Sequence, residues 1–334
     1  MVQTPWHLMT LVVVLLASFT LAETALAAPR RAMTQPDGST CAVASGVVCW
    51  SKDGHHLWQA LRGEQVLALT PGTPLLAAGS RGVAALDPDT GALRWRHGGE
   101  RAFPPITHAG RAWFGTHNGT LWCVATATGE PCWRRSLAAE WIYTPARLGE
   151  TLVSVGRNRT AWALDAREGT LRWTRPLPQE PVGAPLALTP TSALIATYDG
   201  TLRALDAVSG EFLWAYDADT VAAEWAAETG TLVVRLIDGS VLALDADTGK
   251  RLWRHNLPGA EHLTVHRELV WLAIGNRVKA FALPTGRLVA HHRLPAPAAS
   301  PVTADGRVLL HARAQRLHAL RRSSDASTTI DDPQ

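Results

Sequence analysis

The sequence predicts an all-β fold, a β-propeller of four-stranded antiparallel blades, and three observations carry that prediction. A turn glycine recurs at Gly54, Gly91, Gly129, Gly169, Gly210, Gly249 and Gly286, at intervals of 37 to 41 residues. Tryptophan stands four residues after six of these seven glycines, which accounts for much of an excess of 14 Trp over 3 Tyr and 5 Phe. Between the glycines, apolar residues alternate or run in short stretches bounded by Gly, Asn, Asp and Pro, the pattern of strands. Four short strands in about forty residues, repeated, are the signature of propeller blades, because one small twisted sheet cannot bury both faces without stacking on its neighbours.

Taken in order, residues 8–22 are apolar but too few to span a bilayer as a helix, and Ala25-Leu26-Ala27 has the small-x-small form of a signal-peptidase site. Residues 1–27 are therefore expected to be a signal peptide and 28–39 a linker, with a periplasmic or secreted mature chain that keeps no integral membrane segment. Complete blades are expected at 66–96, 104–135, 144–175, 184–215, 225–254 and 263–290. Residues 301–320 supply three more strands, and 55–60 supply a lone fourth-strand sequence. The economical count is seven blades, the seventh closed by N- and C-terminal strands together, which removes the open edge of the ring. Two short strands within 40–50 have no assigned place and leave room for eight. The propeller thus spans 40–320, and the polar stretch 321–334 is expected to be disordered.

The repeated word has a physical reading. In Ala243, Asp245, Thr248, Gly249 and Trp253 the glycine supplies the positive φ of a tight turn, while the aspartate and threonine hydrogen-bond to that turn's backbone. Trp58, Trp95, Trp133, Trp173, Trp214 and Trp253 are then placed to lie flat between one blade and the next as structural docking residues. Four cysteines, Cys41, Cys49, Cys123 and Cys132, permit three pairings, of which the short separations favour Cys41 with Cys49 and Cys123 with Cys132.

The word A-x-D-x-x-T-G-x-x-x-W, complete at 85–95 and 243–253, resembles the tryptophan-docking motif of the pyrroloquinoline-quinone (PQQ) repeat propellers. The resemblance covers nearly all of the mature chain and implies the propeller fold. Of the family's two branches, the quinoprotein dehydrogenases hold PQQ beside Ca²⁺ with a carboxylate base and, in many members, adjacent cysteines. This chain has no adjacent cysteines, and Glu140, Glu224 and Asp199 are not grouped as Ca²⁺ ligands. The resemblance therefore favours the noncatalytic, BamB-like branch, with no cofactor or metal expected and a PQQ- and Ca²⁺-dependent oxidoreductase as the alternative.

A net charge of +3 with dispersed basic residues gives no footprint for nucleic acid. The pairs His55-His56 and His291-His292 lie in strands, where neighbours point to opposite faces and cannot chelate one ion together. No hydrolase or nucleotide-binding word is present. In a propeller the loops joining second to third strands, and fourth to next-first strands, gather at one mouth. From those loops, which include a longer connection holding Arg134, Arg135, Trp141 and Tyr143, the residues Arg134, Arg135, Trp141, Tyr143, Arg157 and Arg159 form the candidate partner-binding patch across the second and third of the expected complete blades, since Arg and aromatic side chains anchor interfaces. The expected partner is an envelope protein or polymer, with carbohydrate binding through rim aromatics as a further possibility.

Overall fold

The computed structural model describes residues 32–35, 39–44, 46–51, 55–293, 298–304, 307–312 and 317–320. Within them the chain forms eight antiparallel sheets, seven of four strands and one of three, and no helix. Blades 1 to 7 cover 32–60, 66–98, 106–136, 146–176, 186–217, 222–256 and 260–293, and the three-stranded sheet covers 298–320. In each sheet the strands pair in chain order. First strands lie side by side between blades 1 and 2, 4 and 5, 6 and 7, and between the three-stranded sheet and both of its neighbours, which puts first strands at the centre and fourth strands outside. The first strand of blade 1, Ala32–Thr34, lies against that of the three-stranded sheet, Ala298–Ala304, and the chain thereby comes round to its own beginning.

The six central blades fall where the repeat puts them; the ends are arranged differently from the expectation. His56–Ala60 does not complete a sheet with the C-terminal strands but pairs with Gly46–Trp50, whose other neighbour is Thr40–Ala44. The two strands without an assigned place are thus the second and third of blade 1, and the presumed linker contains its first. Locality favours this arrangement: a hairpin closed at Gly46 forms contacts eight residues apart, whereas a shared blade needs contacts across the whole chain, with a greater loop-closure cost. Seven blades are complete, and the C-terminal strands make a separate eighth unit. The expected signal peptide and tail lie outside the described residues.

Between blades the decisive contact is indole on glycine. Each of the six docking tryptophans donates its Nε1–H to a carbonyl in the third-to-fourth turn of the next blade, from Trp58 to Pro88 at 2.8 Å through Trp253 to Leu283 at 2.7 Å. The ring then covers that turn's glycine. At Gly249, φ is +69° and a Cβ would stand 2.6 Å from the Trp214 ring, so the position demands glycine both for conformation and for space. Hydrogen bonds fix the turn itself: Asp245 Oδ1 accepts from Thr248 N at 2.8 Å and from Thr248 Oγ1 at 2.6 Å. Those bonds, the side chain's first, hold the Asp245 carboxyl below the usual carboxylate range. At Asp87 the Arg94 guanidinium does the same, with Thr90 assisting. An indole covering ~200 Å² contributes a few kcal/mol at ~25 cal/mol per Å², and its one polar group is satisfied. Blade 7 has Ala290 in place of the tryptophan.

Cys41 and Cys49 stand directly opposite on neighbouring strands and form a disulfide, with Cα atoms 4.0 Å apart. The second expected bridge is absent: Cys123 and Cys132 are thiols, the first buried and the second exposed. The β-bulge at this point pairs Cys123 with Trp133 and Val124 with Pro131, leaving Cys132 as the extra residue without a cross-strand position. Burial raises the Cys123 thiol's pKa, and its hydrogen bond to Cys132 adds to the effect.

Two outcomes follow. Gly249→Ala and Gly230→Ala both place alanine at positive φ in blade 6, at roughly 1–2 kcal/mol each, but only the first meets an indole, since nothing lies within 4 Å of a Cβ at Gly230. Denaturant midpoints should show Gly249→Ala less stable by a further ~1–3 kcal/mol; equal losses would refute the indole joint. Alkylation of the native chain should label Cys132 and spare Cys123, Cys41 and Cys49, as read by peptide mass.

Candidate functional site

The second-to-third turns are built on one frame. In blade 3 Thr116 Oγ1 donates to Asn118 Oδ1 at 2.7 Å, and the turn closes through Thr116 N to Thr120 O at 3.0 Å. Thr197, Asp199 and Thr201 repeat this in blade 5, and Asp238 and Ser240 a part of it in blade 6. The residue at each tip is free to vary: His117, Arg157, Tyr198 and Ile237 in blades 3 to 6. Backbone bonds tie three of these tips to the connections entering their own blades, His117 N to Arg101 O, Tyr198 N to Glu180 O and Ile237 N to Val221 O, each 3.0 Å. A rigid frame therefore carries different side chains around one mouth, with Tyr198 38% and Ile237 61% exposed.

Trp141 is the centre of this surface. It lies in the connection between blades 3 and 4, donates its backbone N–H to His117 O at 2.9 Å, and is held at φ +55°, a left-handed conformation that a bulky aromatic rarely adopts. Its ring stacks on His117 with centroids 4.0 Å apart, and the Arg157 guanidinium lies over it 4.7 Å from the centroid. Beneath, Phe103 and buried Tyr143 complete an aromatic layer, their rings 4.9 Å apart. Arg157 also pairs with Glu180, which raises the Arg157 pKa. Burial raises the pKa of the Tyr143 phenol and keeps it neutral. Arg159 takes the place that glycine holds in the other tip turns, at φ +60°, with its side chain exposed. Two strained backbone positions thus coincide at one mouth, each costing about 1–2 kcal/mol, a pattern typical of functional surfaces.

Of the six sequence candidates, the structure brings Trp141, Tyr143 and Arg157 into one cluster and puts Arg159 on the same tip. Arg134 and Arg135 stand apart on the outer strand Pro131–Ser136. Arg135 Nε donates to Gly169 O at 2.7 Å, reinforcing the joint to blade 4, and Arg134 lies over the Trp122 ring at 5.7 Å. Phe103 and Glu180 were not among those six, although Phe103 holds the place in its connection that Tyr143 holds one blade on.

The carboxylates that could have served Ca²⁺ are spent separately. Glu224 Oε2 accepts from Arg235 Nε at 2.9 Å and Leu263 N at 2.8 Å, while Asp199 binds Thr197, Thr201 and Arg203 in another blade. Glu140 is exposed on a connection. These residues do not fit a Ca²⁺-quinone centre.

Fold and joints define a PQQ-like repeat β-propeller. The family model described as outer membrane protein assembly factor BamB matches residues 79–235 and 237–327, and the chain belongs to that family. The crystal structure of BamB from Moraxella catarrhalis superposes with a TM-score of 0.65 at 17% identity, covering 89% of this chain and 98% of that one. The computationally designed Ika8 protein gives a TM-score of 0.72 at 16% identity, covering 88% of this chain and 98% of its own. No curated protein sequence matches.

Burial first, then the charges of Arg101 and Arg157, lower the His117 pKa from the ordinary 6.5 to about 4. Between those values the unfolded chain takes up the proton more readily than the folded one, so His117 lowers stability as pH falls through that window and has no effect above it. An NMR titration should keep the His117 ring neutral down to about pH 4, with Arg157→Gln moving the midpoint upward; a midpoint near the ordinary value would refute the stacked, charged surround.

Proposed function

We propose that this chain is a noncatalytic propeller of the cell envelope that holds another protein against the mouth of its ring. The carrying observation is Trp141, fixed in a left-handed conformation and clasped between His117 and Arg157 on a rigid turn frame. A partly buried indole and an exposed guanidinium, already ordered, lose little conformational freedom on binding, which is the property of interface anchors. Tyr198 and Ile237 extend that surface over the next two blades. The family's description as an outer membrane protein assembly factor supports an envelope role and a protein partner. The Cys41–Cys49 disulfide suits an oxidising compartment, as does the export-type sequence of residues 1–27.

The test is a pull-down from envelope extract, comparing the native chain with a Trp141→Ala, Arg157→Ala double variant whose melting is checked first. The variant is expected to stay folded and to lose a protein that the native chain retains. Identical captured proteins in equal amounts would remove the mouth from consideration, and dye-linked oxidation with added PQQ and Ca²⁺ would overturn the noncatalytic reading itself.

A further inference from the structure

Every complete blade ends in an outer strand whose far edge presents backbone N–H and C=O groups that its own sheet does not pair, a template for another strand unless side chains guard it. The outer strands of blades 2, 3, 4, 6 and 7 each carry at least two Arg or His, and blade 1 has His56. Blade 5 differs. Its outer strand, Phe212–Asp217, reads Phe-Leu-Trp-Ala-Tyr-Asp, with no cation. Phe212 and Ala215 are exposed, and Leu213 is 54% exposed.

We infer that this edge is a self-association surface on which a second copy of the chain pairs antiparallel through the same strand. The choice of a second copy rests on charge. Self-pairing of the Arg-bearing outer strands sets cations against cations, whereas blade 5 brings an uncharged run against itself and adds a complementary pair at each end. Ala204 pairs with Trp214 and Leu205 with Phe212, so Leu213 is a bulge and Phe212 shares a face with Ala215 and Asp217. With Ala215 on the two-fold axis, Trp214 falls opposite Tyr216 of the second copy, and Asp217 reaches the end where Phe212 of the second copy stands. Over that Phe212 lies Arg175, 5.7 Å from the ring centroid, its Nε donated to Gly210 O at 2.6 Å and no acid among its described partners. Asp217 of each copy thus meets Arg175 of the other, twice by symmetry. Because one patch meets itself, the contact closes as a dimer and leaves no edge for a filament.

Sedimentation velocity of the full mature chain across a concentration series tests the inference. A monomer–dimer equilibrium is expected, weakened at least about tenfold by Ala215→Lys, which sets two lysines face to face on the axis. Ala215→Ser should leave it intact, Asp217→Arg should weaken it, and Trp141→Ala should not touch it. A monomer at every concentration, or a dimer indifferent to Ala215→Lys, would overturn the proposal; since Ala215 is exposed, unchanged melting will show that the lysine variant is folded.

Discussion

The structure depends on one contact, an indole laid on a glycine of the following blade. A four-stranded sheet of this size has two faces to cover and little apolar area of its own, so its stability lies in its neighbours. The glycine lets the ring approach the backbone, the aspartate turn holds that backbone still, and the Nε1–H bond sets the angle of approach. Each of the three would be weak alone. Together they convert a local turn into a joint, and repeating the joint converts a chain into a ring.

A ring built this way separates stability from recognition. The joints lie between blades, on the turns joining third to fourth strands, whereas the tips at the mouth are held by backbone bonds and by threonine or aspartate side chains that do not contact the joints. Side chains at the tips are therefore not recruited to hold the fold. Trp141 and Arg159 exploit that freedom at some cost, since both occupy backbone conformations that other residues would adopt more readily. A strained conformation persists only where its surroundings over-determine it, and the stack of His117, Trp141 and Arg157 supplies those surroundings.

Much of this was legible in the sequence because the joint is local in sequence on both sides. Glycine and tryptophan recur at fixed offsets, so blades 2 to 7 could be delimited to within a few residues. Blade 1 was not legible. Its first strand, Ala32–Thr34, is three residues long and polar at its end, too short for a period to register, and the decision between a shared seventh blade and a separate sheet rests on pairing energies that no local word encodes. The same limit explains the site. Trp141, Tyr143 and Arg157 were recognisable by residue type and loop position, but their convergence on His117 depends on the backbone bond from Trp141 to His117, which no spacing reveals. Arg134 and Arg135 were misgrouped because adjacency in sequence to the mouth loops does not survive the turn out to the rim. Cys132 likewise looked like a partner for Cys123 until the bulge took away its place.

Ala290 in place of a seventh tryptophan has a mechanical consequence. Six of the seams are latched by a docking indole bonded to the next turn, whereas at the two seams flanking the three-stranded sheet that latch is missing from the sequence, blade 7 having Ala290 at the position and 298–320 no tryptophan. The wheel has a sector without bolts. Heat or a pulling force should part it there before any latched seam yields, so the protein would come undone as an unrolling strip that starts from its closure and leaves the mouth over blades 3 to 6 assembled until late.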